Sequence, residues 1–427
     1  MAKVENLFET VKNNLDLIAP LLSTEYSDKK RFNNIIRRFK KPQDVLKKKL
    51  VVKLANGKKK TFQSFRIQHN DARGPFVGGT RYTPNLNEEE LKGFAVLESI
   101  KTSAFDIPFG GGYGGVVIDR NKIPKRDLER ITKLYSQFLA PHIGMWKDII
   151  STNVGTNEET MAWMLESYEK KRKFHSPATF SGKPLVLGGS LGAIEAVGVG
   201  AFYILQEYLK HSNLVSRFRK LEIAISGFGK NGYNFAKIAV NQGFKIVAVT
   251  DSSGGVVKSD GLEVEELKTN KNKFGSLKEV SLMVGMEAID DRDLLKLPVD
   301  IIVIASGGNQ ITKEIAENIE AKLVLEISDF GLTRETEELL KNKNIEVLPD
   351  VLMNTGGLIS THLEWVQNIH GYRWGREDFN SKLRSALIRG FNEIRNVVLE
   401  KKISYRQASY YLGLKRIVEA MTLRGRV

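Results

Sequence analysis

Two stretches of this chain have residue types and spacings that could do chemistry. The first is Gly227-Phe228-Gly229-Lys230-Asn231-Gly232, which follows the apolar run Leu221-Glu222-Ile223-Ala224-Ile225 and opens a helical pattern of Tyr233, Phe235, Ile238 and Ala239. A G-x-G-x-x-G run is a weak signal alone; a strand before it and a helix behind it are the context that dinucleotide binding requires. There Gly227 makes the tight turn, Gly229 lets a pyrophosphate approach the backbone, and Gly232 allows close helix–strand packing. The helix N-terminus, with Lys230 and Asn231, offers unpaired N–H groups to the phosphates. Asp251, followed by Ser252, ends the next strand, where a carboxylate accepts a hydrogen bond from a ribose 2′-hydroxyl. The residues after it, Ser252-Ser253-Gly254-Gly255, bring no base beside it. A 2′-phosphate would be repelled, so NAD is expected in preference to NADP.

The second stretch runs from Arg66 to Asp119 and centres on Gly110-Gly111-Gly112-Tyr113-Gly114-Gly115. Around it stand Gln68-His69-Asn70-Asp71-Ala72-Arg73-Gly74-Pro75, then Gly78-Gly79-Thr80-Arg81-Tyr82, then Lys101-Thr102 and Pro108. Glu98 lies three residues before Lys101 on the same helical face and could pair with it.

The elements that must position these residues follow from periodicity. Val4, Leu7, Val11, Leu15, Ile18 and Leu22 recur at helical spacing and predict a packing face. Leu50-Val51-Val52-Lys53-Leu54, then Asn56-Gly57, then residues 61–67 read as a hairpin with a tight turn. Val116-Val117-Ile118 reads as a short strand, and Thr156-x-x-Glu159 as a capping box opening a helix. From about residue 193 the pattern changes to a helix and then strands alternating with helices, the strands beginning near Leu221, Lys245, Val299, Leu323 and Glu346. That order predicts a doubly wound parallel sheet. The fold class is therefore α/β in two domains: a first α/β domain over 1–185, a Rossmann-type domain over 186–354, and a helical tail over 355–427.

Several blocks in this order and spacing, and not one motif, resemble the glutamate/leucine/phenylalanine/valine dehydrogenases, from about Pro42 to Glu364-Trp365-Val366-Gln367-Asn368. The resemblance implies that the first domain, 1–185, is the substrate and oligomerisation domain. It implies a tail that folds back onto that domain through residues such as Leu358, Leu363 and Val366, and a hexameric assembly. It also implies NAD(P)-linked oxidative deamination of an amino acid, in which a lysine polarises the developing carbonyl and a carboxylate shuttles protons. By that resemblance the lysine position is Tyr113 and the carboxylate position is Asn153, within Ile150-Ser151-Thr152-Asn153-Val154. A phenol with a pKa near ~10 is neutral at pH 7 and an amide does not titrate. The position of the lysine that meets a glutamate side chain is Val77, its hydroxyl partner is Thr361, and the lysine for the amino-acid carboxylate remains as Lys101. Further departures are Ala193 and Val197 after Gly188-Gly189-Ser190-Leu191-Gly192, and Asp329-Phe330-Gly331 in place of an Asn-led turn. Each missing catalytic group is worth roughly 10²–10⁴ in rate. The expectation is a catalytically impaired, regulatory pseudoenzyme, in a homo-hexamer or a mixed oligomer with an active paralogue. The alternative is an active NAD(P)-dependent dehydrogenase on a substrate other than glutamate; a third reading is a basic protein that reuses the fold.

Composition bounds the rest. The 427 residues exceed what one core organises. There are no cysteines, which excludes disulfides and thiolate chemistry. The six histidines, among them His69, His142, His175, His362 and His370, show no metal-ligand spacing, so no metal is expected. The start lacks the apolar core of a signal peptide and no apolar run spans a bilayer, so a cytoplasmic protein without membrane contact is expected. With 65 Lys+Arg against 50 Asp+Glu the net charge is +15, and lysines crowd residues 29–60. Phe32 and Phe39 are the only aromatics there, a thin stacking platform, so the run is expected to be a solvated face, with a surface for nucleic acid or another polyanion as the alternative.

Overall fold

The computed structural model describes residues 7–214, 221–307 and 311–426. The first sheet contains β1 (Asp44–Lys53), β2 (Lys59–Asn70), β3 (Phe76–Thr83), β4 (Gly111–Val117), β5 (Asp148–Thr152) and β6 (Phe180–Ser181), in the order β1-β2-β4-β3-β5-β6. β1 and β2 form the expected hairpin, longer than the apolar residues suggested, and Gly57 turns it at φ +81, where a side chain would be strained. β2 pairs antiparallel with β4, and β4, β3, β5 and β6 are parallel neighbours. The glycine run is thus an inner strand: β4 begins at Gly111, five residues before the strand expected at Val116. The helix Glu88–Ala104 lies directly on it, and a Cβ on Gly111 would stand 2.4 Å from Ala95 O and Ser99 N. Glycine here buys approach between helix and strand.

One cap sits a residue later than expected. The helix Glu158–Arg172 is capped by Asn157 paired with Thr160, and not by Thr156 with Glu159. The Thr156 hydroxyl instead donates to Thr80 O and accepts the Asn153 N–H, which ties the end of β5 to β3.

The second sheet holds β7 (Glu222–Ser226), β8 (Lys245–Asp251), β9 (Gly254–Val257), β10 (Glu287–Ile289), β11 (Ile301–Ile304), β12 (Leu323–Glu326) and β13 (Glu346–Leu348), in the order β10-β9-β8-β7-β11-β12-β13. β8, β7, β11, β12 and β13 are parallel, as the alternation predicts; β9 and β10 add an antiparallel edge that it did not. Strand order reverses between β7 and β11, the crevice where such sheets bind ligands.

The tail helices Gly356–His370, Arg376–Lys401 and Tyr405–Leu423 return to the first sheet. Tyr410, Leu414 and Ile417 pack with Val96 and Ile100 and with Val11, Leu15 and Ile18 of the helix Leu7–Ser23. Val4 lies outside the described residues. Leu358 and Leu363 join Phe105 and Phe109 in another core, and Val366 is half-buried. In the lysine-rich segment the helix Lys29–Phe39 buries Phe32 and Phe39 completely, so neither ring is available for stacking. Lys47, Lys48 and Lys49 are exposed on β1, an edge strand, where a row of charges blunts pairing with other chains.

Candidate functional site

A cavity of about 1280 Å³ lies between the two sheets. Lys101, Asn153, Thr361, Lys230 and Asn231 all line it. Phe94, Glu98 and Lys101 reach it from the helix Glu88–Ala104 at i, i+4 and i+7, one helical face. Gly79 and Arg81 reach it from alternate positions of β3, and Asp329 from the loop after β12.

Lys101 is not the open cation that the sequence implied. Its ammonium donates to Asp329 Oδ1 at 2.7 Å, and Asn354 Nδ2 donates to the same oxygen at 2.7 Å. The expected pairing of Lys101 with Glu98 gives way to this ion pair, because the loop after β12 brings a carboxylate into better reach. Burial opposes the Lys101 charge, but Asp329 and Glu98 outweigh it and hold its pKa above the usual lysine range. Asp329 is correspondingly lowered: burial would raise it, and Lys101 and Asn354 override that. Glu98 keeps no hydrogen bond at Oε2, and burial lifts its pKa to about 7 against the pull of Lys101.

Tyr113 lies behind the cavity wall, 1% exposed, stacked on Phe94 with centroids 4.7 Å apart. Its hydroxyl has no partner, and burial drives its pKa far above the ordinary phenol value, so it stays neutral. A Cβ on Gly79 would lie 2.8 Å from Asn153 Cβ and 3.0 Å from the Tyr113 hydroxyl, which fixes how closely these three residues crowd one point. Asn153 turns its Oδ1 to the N–H of Val154 at 2.8 Å. The Thr361 hydroxyl accepts from Ser181 at 3.3 Å. Val77 is not in the cavity: its side chain is fully buried with Phe105, Phe109 and Ile149. Sequence reasoning also passed over Arg81, which pairs with Glu90 at 2.6 Å and lies 4.5 Å from the Phe94 ring centroid. The period-2 rule along β3, two residues from Gly79, was the signal for it.

At the other end, Gly227 closes β7 at φ +105, and its Cβ would strike Ser306 N at 2.4 Å. A Cβ on Gly232 would stand 2.1 Å from Gly227 O, whereas one on Gly229 meets nothing within 4 Å. Two glycines therefore serve packing and one leaves open room before the helix Lys230–Asn241, the cradle a pyrophosphate fits. Asn231 Oδ1 there has no partner within the protein, and burial lowers the pKa of Lys230. Asp251 ends β8, with Ser252 exposed beside it. It does have a base: Lys271, from the helix Val264–Phe274, stands 2.6 Å from Oδ2. The absence of a base in residues 252–255 missed one brought in by tertiary folding. Burial would raise the Asp251 pKa, but Lys271 and the Ser253 hydroxyl and N–H together lower it.

Two of the histidines pack inside the fold. His69 is fully buried between Ser99 Oγ (2.7 Å) and Phe39 O (2.6 Å), and burial lowers its pKa to about 4. His362 stacks on Trp365 and meets Phe109 edge-on. Among the described residues no group of three or more His, Asp or Glu is placed to hold a metal ion, and no helix is long and apolar enough to cross a membrane.

Residues 188–425 match the family model described as Glutamate/Leucine/Phenylalanine/Valine dehydrogenase, and residues 42–170 match that of the Glu/Leu/Phe/Val dehydrogenase dimerisation domain. The chain is 35% identical over 386 residues to a catabolic NAD-specific glutamate dehydrogenase of Bacillus subtilis, covering 90% of each. It is 36% identical over 386 residues to an NAD-specific glutamate dehydrogenase of Staphylococcus aureus, covering 90% of this chain and 92% of that one. Among solved structures, the hetero-hexameric glutamate dehydrogenase of Thermus thermophilus in its leucine-bound form superposes with a TM-score of 0.91 at 28% identity, over 100% of this chain and 98% of that one. The glutamate dehydrogenase of Peptoniphilus asaccharolyticus gives 0.84 at 29% identity, over 99% and 100%.

Proposed function

The chain belongs to the glutamate/leucine/phenylalanine/valine dehydrogenase family, and we propose that within it this protein binds NAD, is impaired in glutamate dehydrogenation, and acts as a regulatory subunit. The observation that carries the reading is the inert reaction centre. Where the family resemblance puts a lysine there is the buried, neutral Tyr113 phenol, and where it puts a proton-shuttling carboxylate there is Asn153, bonded to its own neighbour's N–H. Bound NAD would supply a hydride acceptor. The residues around it would supply neither a cation to polarise the substrate carbon nor a base to take its proton. Lys101, held by Asp329, is withdrawn from binding a substrate carboxylate.

NAD is favoured because the relatives at 35–36% identity carry NAD-specific names and because Asp251 stands where the ribose 2′-hydroxyl would be met. Lys271 moderates that preference, since it could swing to a 2′-phosphate. The assembly is a hexamer of this chain, or a mixed one with an active paralogue; a hetero-hexameric composition is what the Thermus structure carries. The test is a titration with NAD followed by a hydride-transfer assay with glutamate. Binding without reduction supports the proposal, and steady NADH formation refutes it.

A further inference from the structure

Residues 29–60 hold eleven lysines and three arginines against one acid, Asp44, so this segment carries +13 of the chain's net +15. Seven of those lysines stand exposed on the β1–β2 hairpin, from Lys47 to Lys60. Among the described residues only Lys47 has an ion pair, with Glu88. Lys53 lies directly opposite Lys59 in the ladder, a like-charge pair that weakens the hairpin. β1 is also a long free edge. Exposed edges are ordinarily kept short, bulged or broken by proline. β1 instead pairs with β2 over ten consecutive residues with no register shift and no proline, and its other side meets no strand. Leu50 and Val52 face the core, and Val51 stands in the outward row between Lys49 and Lys53, 60% exposed.

Charge decides what this edge can pair with. Two copies joined edge to edge would be related by a twofold axis, so each residue meets the one equally far beyond that axis. An axis at Lys47, Lys48 or Lys49 sets that lysine opposite its own copy. At Leu50 it sets Lys47 opposite Lys53, and at Val51 it sets Lys49 opposite Lys53. Every central register therefore puts lysine against lysine, which is destabilising. The edge is intact and closed to its own kind.

We propose that the free edge of β1 docks the edge strand of a different dehydrogenase subunit, one that carries carboxylates opposite Lys47, Lys48 and Lys49. β1 lies within residues 42–170, which match the dimerisation-domain model. A paired strand satisfies the unpaired backbone groups of the edge, covers Val51, and turns each like-charge contact into an opposite-charge one. A duplex nucleic acid would use the charge but leave the strand edge and Val51 unanswered. The inference rests on the mixed-oligomer reading of the function, and it names the surface and the chemistry of the partner.

The experiment uses the full-length protein as its own acidic partner. The combined variant Lys47→Glu, Lys48→Glu, Lys49→Glu and Lys53→Glu alters only exposed side chains, and thermal unfolding checks its fold. Wild type, variant and their equimolar mixture are compared by sedimentation at roughly 50 mM and 500 mM salt, with hydrogen exchange read on the β1 amides. Only the mixture should pair through this edge, at least about tenfold more tightly than either chain alone. The high-salt samples should lose the contact, because exposed charges are then screened. The β1 amides should exchange slowly in the low-salt mixture and nowhere else. Assembly through other surfaces leaves that exchange unchanged, so exchange is the deciding readout. Protection of β1 in the wild type alone, a mixture equal to its parts, or a contact indifferent to salt overturns the inference. Duplex DNA bound by the wild type, with no mixed contact, would assign the lysines to a polyanion and overturn it too. Such a failure beside NAD binding without reduction leaves the impaired-enzyme reading standing; glutamate turnover refutes that reading and leaves the edge untouched.

Discussion

Restoring the two missing catalytic groups tests the reading of the reaction centre most directly. An ordinary enzyme turns over at roughly 10 s⁻¹. Loss of a polarising cation and of a general base removes roughly 10²–10⁴ each. Groups that act as a unit are not additive, so the wild type is expected near or below about 10⁻³ s⁻¹ with glutamate and NAD. Tyr113→Lys forfeits stacking on Phe94, about 0.5–1.5 kcal/mol, but also removes a buried hydroxyl that has no partner. The new ammonium would lie within electrostatic reach of Arg81, which opposes it, and of Asp329, Glu98 and Glu90, which together favour it, so the fold should tolerate it. Asn153→Asp needs its carboxylate free, yet the Val154 N–H already donates to that position and would hold its pKa low. Each single variant should therefore stay at background. The double variant should give NADH formation at least about 100-fold below an ordinary rate, because Lys101 is still neutralised. Adding Asp329→Asn should lift it further and lower the KM for glutamate. Val77 is a poor place for a third change, since its side chain is fully buried and a lysine there would put a charge in the core. The assay is NADH absorbance under saturating cofactor. Wild-type turnover within about tenfold of 10 s⁻¹, or activity from Tyr113→Lys alone, would refute the argument.

Gly229→Val should abolish NAD binding with little change in melting temperature, since its Cβ meets nothing within 4 Å, whereas Gly232→Val should destabilise the fold, with its Cβ 2.1 Å from Gly227 O; calorimetry and thermal unfolding on both variants separate the two roles. Lys271→Ala should widen the preference for NAD over NADP by leaving the Asp251 charge uncompensated, and equal affinities for the two cofactors would count against the role given to Asp251. Stability should respond to pH through Glu98, whose folded pKa of about 7 lies above the 4.5 of the free side chain. Between those values the unfolded chain releases a proton that the folded one keeps, so this residue costs stability as pH rises from 4.5 to 7, about 3 kcal/mol by the top of the window. Glu98→Gln should therefore gain stability over the wild type at pH 8 and match it at pH 4, measured by denaturant unfolding; a gain equal at both pH values would show that the carboxyl does not titrate as argued.

The parallel second sheet and its phosphate turn were legible in the sequence because their determinants are local: short continuous apolar runs that alternate with helical patterns, and three glycines in a strand–turn–helix context. The glycine strand β4 was harder to read. Four of its seven residues are glycines, which carry little β propensity of their own, and they are required because the helix Glu88–Ala104 lies directly on the strand and only glycine leaves room. Lys101, Asn153 and Thr361 were found through motif position, and they do meet in one cavity. Val77, found by the same means, is fully buried and is not among the residues that line the cavity, since motif position gives the backbone site and not what a differently shaped side chain will touch.

What the sequence could not reveal was long-range pairing. Asp329 lies 228 residues from Lys101 and Lys271 lies 20 from Asp251, and no local pattern relates them. Those pairs change the meaning of each site more than any single substitution does. A lysine alone in a cleft attracts a carboxylate. The same lysine closed by an internal carboxylate presents a neutral pair. A tyrosine at the position where the family resemblance puts a lysine and the internal pairing of Lys101 thus act in the same direction: both reduce the positive charge that an acidic ligand would meet in the cleft.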